Sequence, residues 1–372
     1  MRKNPADEKI VCHHIGAAGL NHPFQNLSAF LNDFIIYLYD GNKDVFNEQN
    51  RTEQNRTEQN RTHMLHCYVG KKKSQSKFYI SYDPSASSMR LLNPEYKSWY
   101  MNTYVDYCLE EATKPVSEED VEVLSLDEAI IRHKAMPPDV LSIDAESMSF
   151  DILEGAGSSL EKAIAVICEV EFDEIRLGQK TFFDIGNLLK DEFVFAGFID
   201  EGWCYSPRRN PLGFRGLALP LMRDVLFLRK KETIHNDFSM AKLAFVSLAH
   251  GFMEYGFHAA LAPRQDFWAK FINNAVYLKF IDELIQLYNT ETHVYKPTFK
   301  DVNKTAGEAH NRYSRRRVQD DPDFLQKKRD MELKVLSLKR NLTEVEKIFY
   351  RYALPDVAQI IHRENQKMVY IK

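Results

Sequence analysis

The stretch Asp139-Val140-Leu141-Ser142-Ile143-Asp144-Ala145-Glu146-Ser147-Met148-Ser149-Phe150-Asp151-Ile152-Leu153-Glu154-Gly155-Ala156 decides how this chain folds. Val140–Asp144 is a short apolar run of the kind that forms a strand buried on both faces. It delivers two carboxylates, Asp144 and Glu146, just past its C-terminal end, and 148–155 then has the pattern of a helix. Strand, acidic turn and helix together form one unit of an open α/β sheet. In such sheets ligands bind beyond the carboxyl ends of the strands. Two acids at that edge can orient a hydroxyl, accept its proton or hold a divalent cation. Alternatively, one of them caps the following helix.

The pattern repeats on either side of this unit. Apolar runs occur at Lys9–Ile15, Phe34–Asp40, Met64–Val69, Phe78–Tyr82, Val121–Leu126, Ala163–Phe172, Phe193–Ile199 and Asp224–Arg229, with amphipathic stretches at 25–33 and 181–191. Strand–helix alternation predicts a mostly parallel sheet. The last two runs are joined by Gly- and Pro-rich sequence with no helix between them, so the final strand is expected to be antiparallel. The first run ends in Ile15-Gly16-Ala17-Ala18-Gly19, a glycine turn that lets a ligand approach the backbone. The second ends in Asp40, about 20 residues past that turn, where a carboxylate can accept the ribose hydroxyls of a nucleoside cofactor. A tight turn and a loop aspartate are the plainer readings of these two features.

Beyond residue 236 the periodicity becomes helical. The stretches 238–262 and 266–289 are separated by Pro263, 291–322 is polar, 323–353 reads as a long charged helix, and Pro355 begins a last short one. These features divide the chain into 1–235, the α/β region, and 236–372, a helical C-terminal region that could serve self-association. Residues 296–372 hold 18 Lys/Arg against 11 Asp/Glu, whereas the whole chain of 372 residues carries a net −4. A near-neutral total argues against a dedicated nucleic-acid binder. EQNRT repeated three times across 48–62 has no apolar face and reads as a low-complexity insert. Five scattered cysteines without a CxxC pair fit a reducing compartment. No apolar run is long enough for a membrane span or a signal peptide, so a cytoplasmic location is expected. His13-His14 invites a metal reading, but adjacent strand residues point to opposite faces.

The central stretch resembles the I-D-x-E-G-x-E-x-x-x-L-x-G-A signature of the FkbM family of S-adenosylmethionine-dependent methyltransferases. Other segments follow in the family's order over roughly 9–232: Ser85-Ala86-Ser87-Ser88-Met89 with Asn93-Pro94, Val121–Asp127, Glu169-Val170-Glu171-Phe172, Gly178-Gln179, and Asp224-Val225-Leu226-Phe227-Leu228-Arg229. The chain departs from the family at His14 (an acid), at Asp40-Gly41 (Glu-Pro) and at Ser147 (the glycine of D-x-E-G). The resemblance implies a Rossmann-like class I methyltransferase sheet and methyl transfer from S-adenosyl-L-methionine to a hydroxyl of a sugar, nucleotide-sugar or glycan precursor. It implies Asp144 and Glu146 as catalytic, and Gly16, Ala17, Gly19, Asp40 and Ser88 as cofactor-binding. Asp144 is the ligand if a divalent cation takes part. The competing expectation is a catalytically inactive methyltransferase-fold protein acting as an interaction module.

Overall fold

The computed structural model describes residues 8–16, 24, 27–42, 61–96, 101–102, 109–199, 203–206, 220–290 and 344–367. Twelve strands occur among them. They are β1 (Ile10–Ile15), β2 (Phe34–Asp40), β3 (Thr62–His66), β4 (Tyr68–Gly70), β5 (Ser74–Ser81), β6 (Met101–Asn102), β7 (Pro115–Ser125), β8 (Val140–Ile143), β9 (Ala165–Glu171), β10 (Phe193–Phe198), β11 (Trp203–Ser206) and β12 (Pro220–Arg229).

The main sheet has the order β3-β2-β1-β8-β9-β12-β11-β6, and β10 also pairs with β12. Strands β3, β2, β1, β8 and β9 are mutually parallel. Strand β12 runs antiparallel to β9 and to β10, as expected from the Gly- and Pro-rich sequence before it. This is the Rossmann-like class I methyltransferase sheet. β1 and β8 are buried along their whole length, which is why their sequences are continuous apolar runs rather than alternating ones.

Helices cover both faces. On one side Val11, Ile15, Tyr39, Leu141, Ile143, Val166 and Phe227 form a core with residues of α1 (Leu126–His133), α2 (Ser149–Glu154) and α3 (Phe182–Leu189). A capping box holds the start of α1, where Ser125 and Glu128 satisfy each other's backbone N–H groups. On the other face lies α4 (Asp237–Ala249), whose Phe245 ring meets Phe30 and Phe34. Lys242 of α4 is buried and pairs with Asp139 at 2.7 Å; the same Asp139 oxygen accepts the Val11 N–H at 2.8 Å. A smaller sheet, β4-β7-β5, is hydrogen-bonded separately from the main one and packs Val69 and Leu124 into the same core.

The run at Met64–Val69 is two strands, broken at Cys67, whose N–H bonds the Asp40 carbonyl. The helix expected at 25–33 is a 3-10 turn over Ser28–Asp33. The stretch 238–262 divides into α4 and α5 (Met253–Ala260) because Gly251 takes φ +82°. The stretch 266–289 likewise divides into α6 (Gln265–Phe271) and α7 (Val276–Thr290).

The chain forms two compact units, Met1–Leu278 and Lys279–Lys372. Within the second, Glu283 accepts from Arg351 at 2.6 Å and Tyr352 at 2.9 Å, and Phe280 packs on Phe349. The helix Pro355–Lys367 begins at its proline as expected. The EQNRT repeats up to Asn60, and most of the long helix expected at 323–353, lie outside the described residues.

Candidate active site at the carboxyl edge of the sheet

Register brings three of the predicted residues to one rim. Ile15 of β1 is level with Tyr39 of β2 and with Ile143 of β8, so Gly16, Asp40 and Asp144 follow side by side on three adjacent strands. The Gly16 N–H donates to the Tyr39 carbonyl at 3.1 Å, and the Asp144 N–H donates to the Ile15 carbonyl at 2.8 Å. Asp40 and Asp144 flank β1, which separates their backbones by two strand spacings, roughly 10 Å.

Gly16 has to be glycine. Its φ is +96°, and a Cβ there would lie 1.7 Å from the Asp144 carbonyl oxygen. Ala17 and Gly19 lie outside the described residues. Asp40 is buried, and its Oδ1 accepts the Asn42 N–H at 2.7 Å. Burial pushes its carboxyl up to about 6, offset in part by the Asn42 bond. A carboxylate in that position gains from a donor that reaches its remaining lone pairs. Beside it the Tyr68 ring covers Gly41, where a Cβ would fall 2.3 Å from the ring. On the neighbouring strand, His66 is level with Asp40, and its Nε2 bonds the Gly41 carbonyl at 2.8 Å.

The acidic turn is held from three sides. Glu146 and Ser147 both take left-handed backbone conformations, φ 45° and 71°. Such residues cost free energy and persist only where their surroundings over-determine them. Here the Arg176 guanidinium donates to Glu146 Oε2 at 2.7 Å and to the Ala86 carbonyl at 2.9 Å. The Ser88 hydroxyl donates to the Glu146 carbonyl at 2.8 Å. Ser147, which stands where the family has glycine, donates to Glu171 Oε1 at 2.6 Å. Ser88 is thus buried beneath the turn, with its hydroxyl spent on the Glu146 backbone.

Alternation along β9 puts Glu169 and Glu171 on one face, and Asp224 of β12 is directly opposite Glu169. Asp144 has solvent on its outer surface, yet the protein packed around it excludes water from most other directions. That desolvation first, and then the Glu146, Asp224 and Glu171 charges, push its carboxyl up to about 7. Burial does the same to Glu171 and, more strongly, to Glu169. Among the described residues no three His, Cys, Asp or Glu side chains are grouped to hold a metal ion. His13 and His14 do point apart. His13 accepts from the Tyr39 hydroxyl and bonds the Met136 carbonyl, and burial lowers its pKa to about 4. His14 bonds Ser142 at 2.8 Å.

Residues 15–195 match the family model for the methyltransferase FkbM domain. They form an FkbM methyltransferase domain. Its methyl donor is S-adenosylmethionine, and the buried carboxylate of Asp40 is an acceptor of the kind that group's ribose hydroxyls need. Two solved structures are also similar. Sp1610 of Streptococcus pneumoniae, provisionally assigned as a tRNA (m1A22) methyltransferase, is 8% identical; the match covers 74% of this chain and 93% of that one with a TM-score of 0.31. TrmK of M. capricolum, in complex with S-adenosylhomocysteine, is 10% identical, with coverage of 75% and 88% and a TM-score of 0.29. At those TM-scores the likenesses bear on neither fold nor substrate. Among curated proteins no relative matches.

Sequence reasoning missed Arg176, which lies in the turn after β9 just before the Gly178-Gln179 pair. The Gln179 side chain accepts the Arg176 N–H at 2.6 Å, so the family's G-Q element serves to seat this arginine. It also missed the acids of β9 and β12 as a group. The alternation Glu169-x-Glu171 within an apolar strand was the signal for them. No helix among the described residues is long and apolar enough to cross a membrane.

Proposed function

We propose that this domain transfers a methyl group from S-adenosylmethionine to a hydroxyl of a sugar, nucleotide-sugar or glycan precursor in the cytoplasm. The observation that supports it is the register that aligns Gly16, Asp40 and Asp144 on one rim. When bound, the cofactor supplies a methyl group made electrophilic by its sulfonium. Asp40 accepts the ribose hydroxyls, and Gly16, with Ala17 and Gly19, passes close to the rest of the cofactor. Asp144 takes the acceptor's proton. A carboxylate whose proton affinity is raised toward neutrality is a stronger base than an ordinary one, and with a pKa of about 7 roughly half of it is ionised at neutral pH. Glu146, fixed by Arg176 and Ser88, orients the acceptor oxygen. Most of the rate gain would come from that positioning.

Calorimetry with S-adenosylmethionine tests the reading, together with tritiated-methyl incorporation into extracted glycans and nucleotide-sugars. We expect micromolar binding that Asp40→Ala weakens at least about tenfold, the worth of hydrogen bonds to a charged group. Folded protein that binds no cofactor would instead leave an interaction module as the function.

A further inference from the structure

An open groove of about 440 Å³ lies where the small sheet β4-β7-β5 meets the segment that follows the acidic turn. That volume falls in the range of small-molecule sites. Gly16, Asp40 and Asp144 are not among its walls. Its lining brings three cations, Lys71, Lys72 and Arg90, together with the hydroxyl groups of Ser76 and Tyr79 and the apolar Met148. One acid, Asp151, is in the lining, and it is engaged by Arg90 at 2.7 Å. Lys71 reaches out to Glu154 at 2.7 Å. Lys72 is exposed and makes no ion pair with the described residues.

Cations at the rim suit a phosphoryl group, which lysine meets as a compact charge with rotatable donors. Hydroxyl groups beside an apolar wall suit a sugar ring. The groove is also bonded to the catalytic turn. The Arg90 N–H donates to the Ser88 hydroxyl at 3.1 Å, and that hydroxyl donates to the Glu146 carbonyl. Arg176 spans the same two partners, reaching the Arg90 carbonyl at 3.3 Å and the Glu146 carboxylate at 2.7 Å.

We propose that this groove anchors the phosphoryl part of a phosphorylated carbohydrate acceptor, with Lys71 and Lys72 as its anion contacts and Arg90 linking its occupancy to Glu146. The inference rests on the methyl-transfer reading and narrows its acceptor from any glycan hydroxyl to an anionic one, such as a nucleotide-sugar.

The test is calorimetric titration of UDP-glucose into the full-length protein, with and without S-adenosylmethionine. Comparison is with Lys71→Glu/Lys72→Glu and with Ser76→Trp, which fills the groove. The expected result is binding by the wild type that pyrophosphate displaces and free glucose does not. Each variant should lose at least about tenfold in affinity, while S-adenosylmethionine affinity stays within twofold. Wild type that fails to bind UDP-glucose would overturn the proposal, as would variants whose affinity for it is unchanged. Loss of cofactor binding alone would strike the methyltransferase reading and leave the groove's own result standing.

Discussion

Replacing Gly16 by alanine tests the rim directly. The new Cβ would stand 1.7 Å from the Asp144 carbonyl oxygen and 2.5 Å from its carbon, and real Cβ atoms essentially never come within 3.0 Å of another atom. The two strand ends must therefore separate by roughly 1 Å, the scale on which a catalytic group's misplacement costs about 100-fold in rate. The backbone at φ +96° adds strain of about 1–3 kcal/mol for any residue with a Cβ. Overpacking against a hydrogen-bonded strand end adds about 1–3 kcal/mol more. Together these predict a fall in melting temperature of roughly 5–15 °C. Gly186 provides the contrast. It lies inside helix α3, and a Cβ there meets nothing within 4 Å. Gly186→Ala should stabilise by about 0.5–1 kcal/mol through helix propensity. Differential scanning fluorimetry and cofactor calorimetry on the two variants measure both effects. If Gly16→Ala melts within about 1 °C of the wild type and binds S-adenosylmethionine equally well, the strand ends at Gly16 and Asp144 do not meet as described.

Two further outcomes follow from the acidic turn. Asp144 must be ionised to accept a proton, so turnover should climb about tenfold per pH unit up to about pH 7 and then level off; Asp144→Asn should lose at least about 100-fold and keep no such limb. The same raised affinities make the folded state take up protons that the unfolded chain releases. The contribution of Asp40, Asp144 and Glu171 to stability is therefore greatest near pH 4 and fades as pH rises through about 7. The fall in melting temperature between pH 5.5 and 8 should shrink in Asp144→Asn, and an unchanged fall would contradict the raised affinity. Arg176→Met should lower turnover about as much as Glu146→Gln, and the double variant should be within about threefold of the worse single one, because each breaks the same ion pair. Effects that multiply would show that Arg176 acts elsewhere.

How far the sequence could be read depended on whether a feature was local. The strands β1, β2, β8 and β9 were readable because a strand buried on both faces must be a continuous apolar run, and Asp40 and Asp144 were readable because they end such runs. The antiparallel β12 followed from the Gly- and Pro-rich sequence before it, which has no helical pattern. Helix breaks such as that at Gly251 were not readable, since helical periodicity continues across them. Ser88 looked like a cleft residue, whereas its partner is a carbonyl 58 positions away. Arg176 meets Glu146 across 30 positions, and spacing carries no trace of that encounter. Ser147 shows the reverse case. A serine in a glycine position looked like a loss, but its left-handed turn is retained and its hydroxyl secures Glu171.

The ion pair between Lys242 and Asp139 bears on how the catalytic half can be isolated. Asp139 leads into the strand that carries Asp144 and also accepts the Val11 amide of β1. A fragment stopped at residue 235 would strip this aspartate of its ammonium partner and uncover Phe30 and Phe34, which Phe245 now shields. Anyone expressing the enzyme in pieces should therefore cut no earlier than the end of the first compact unit, at Leu278.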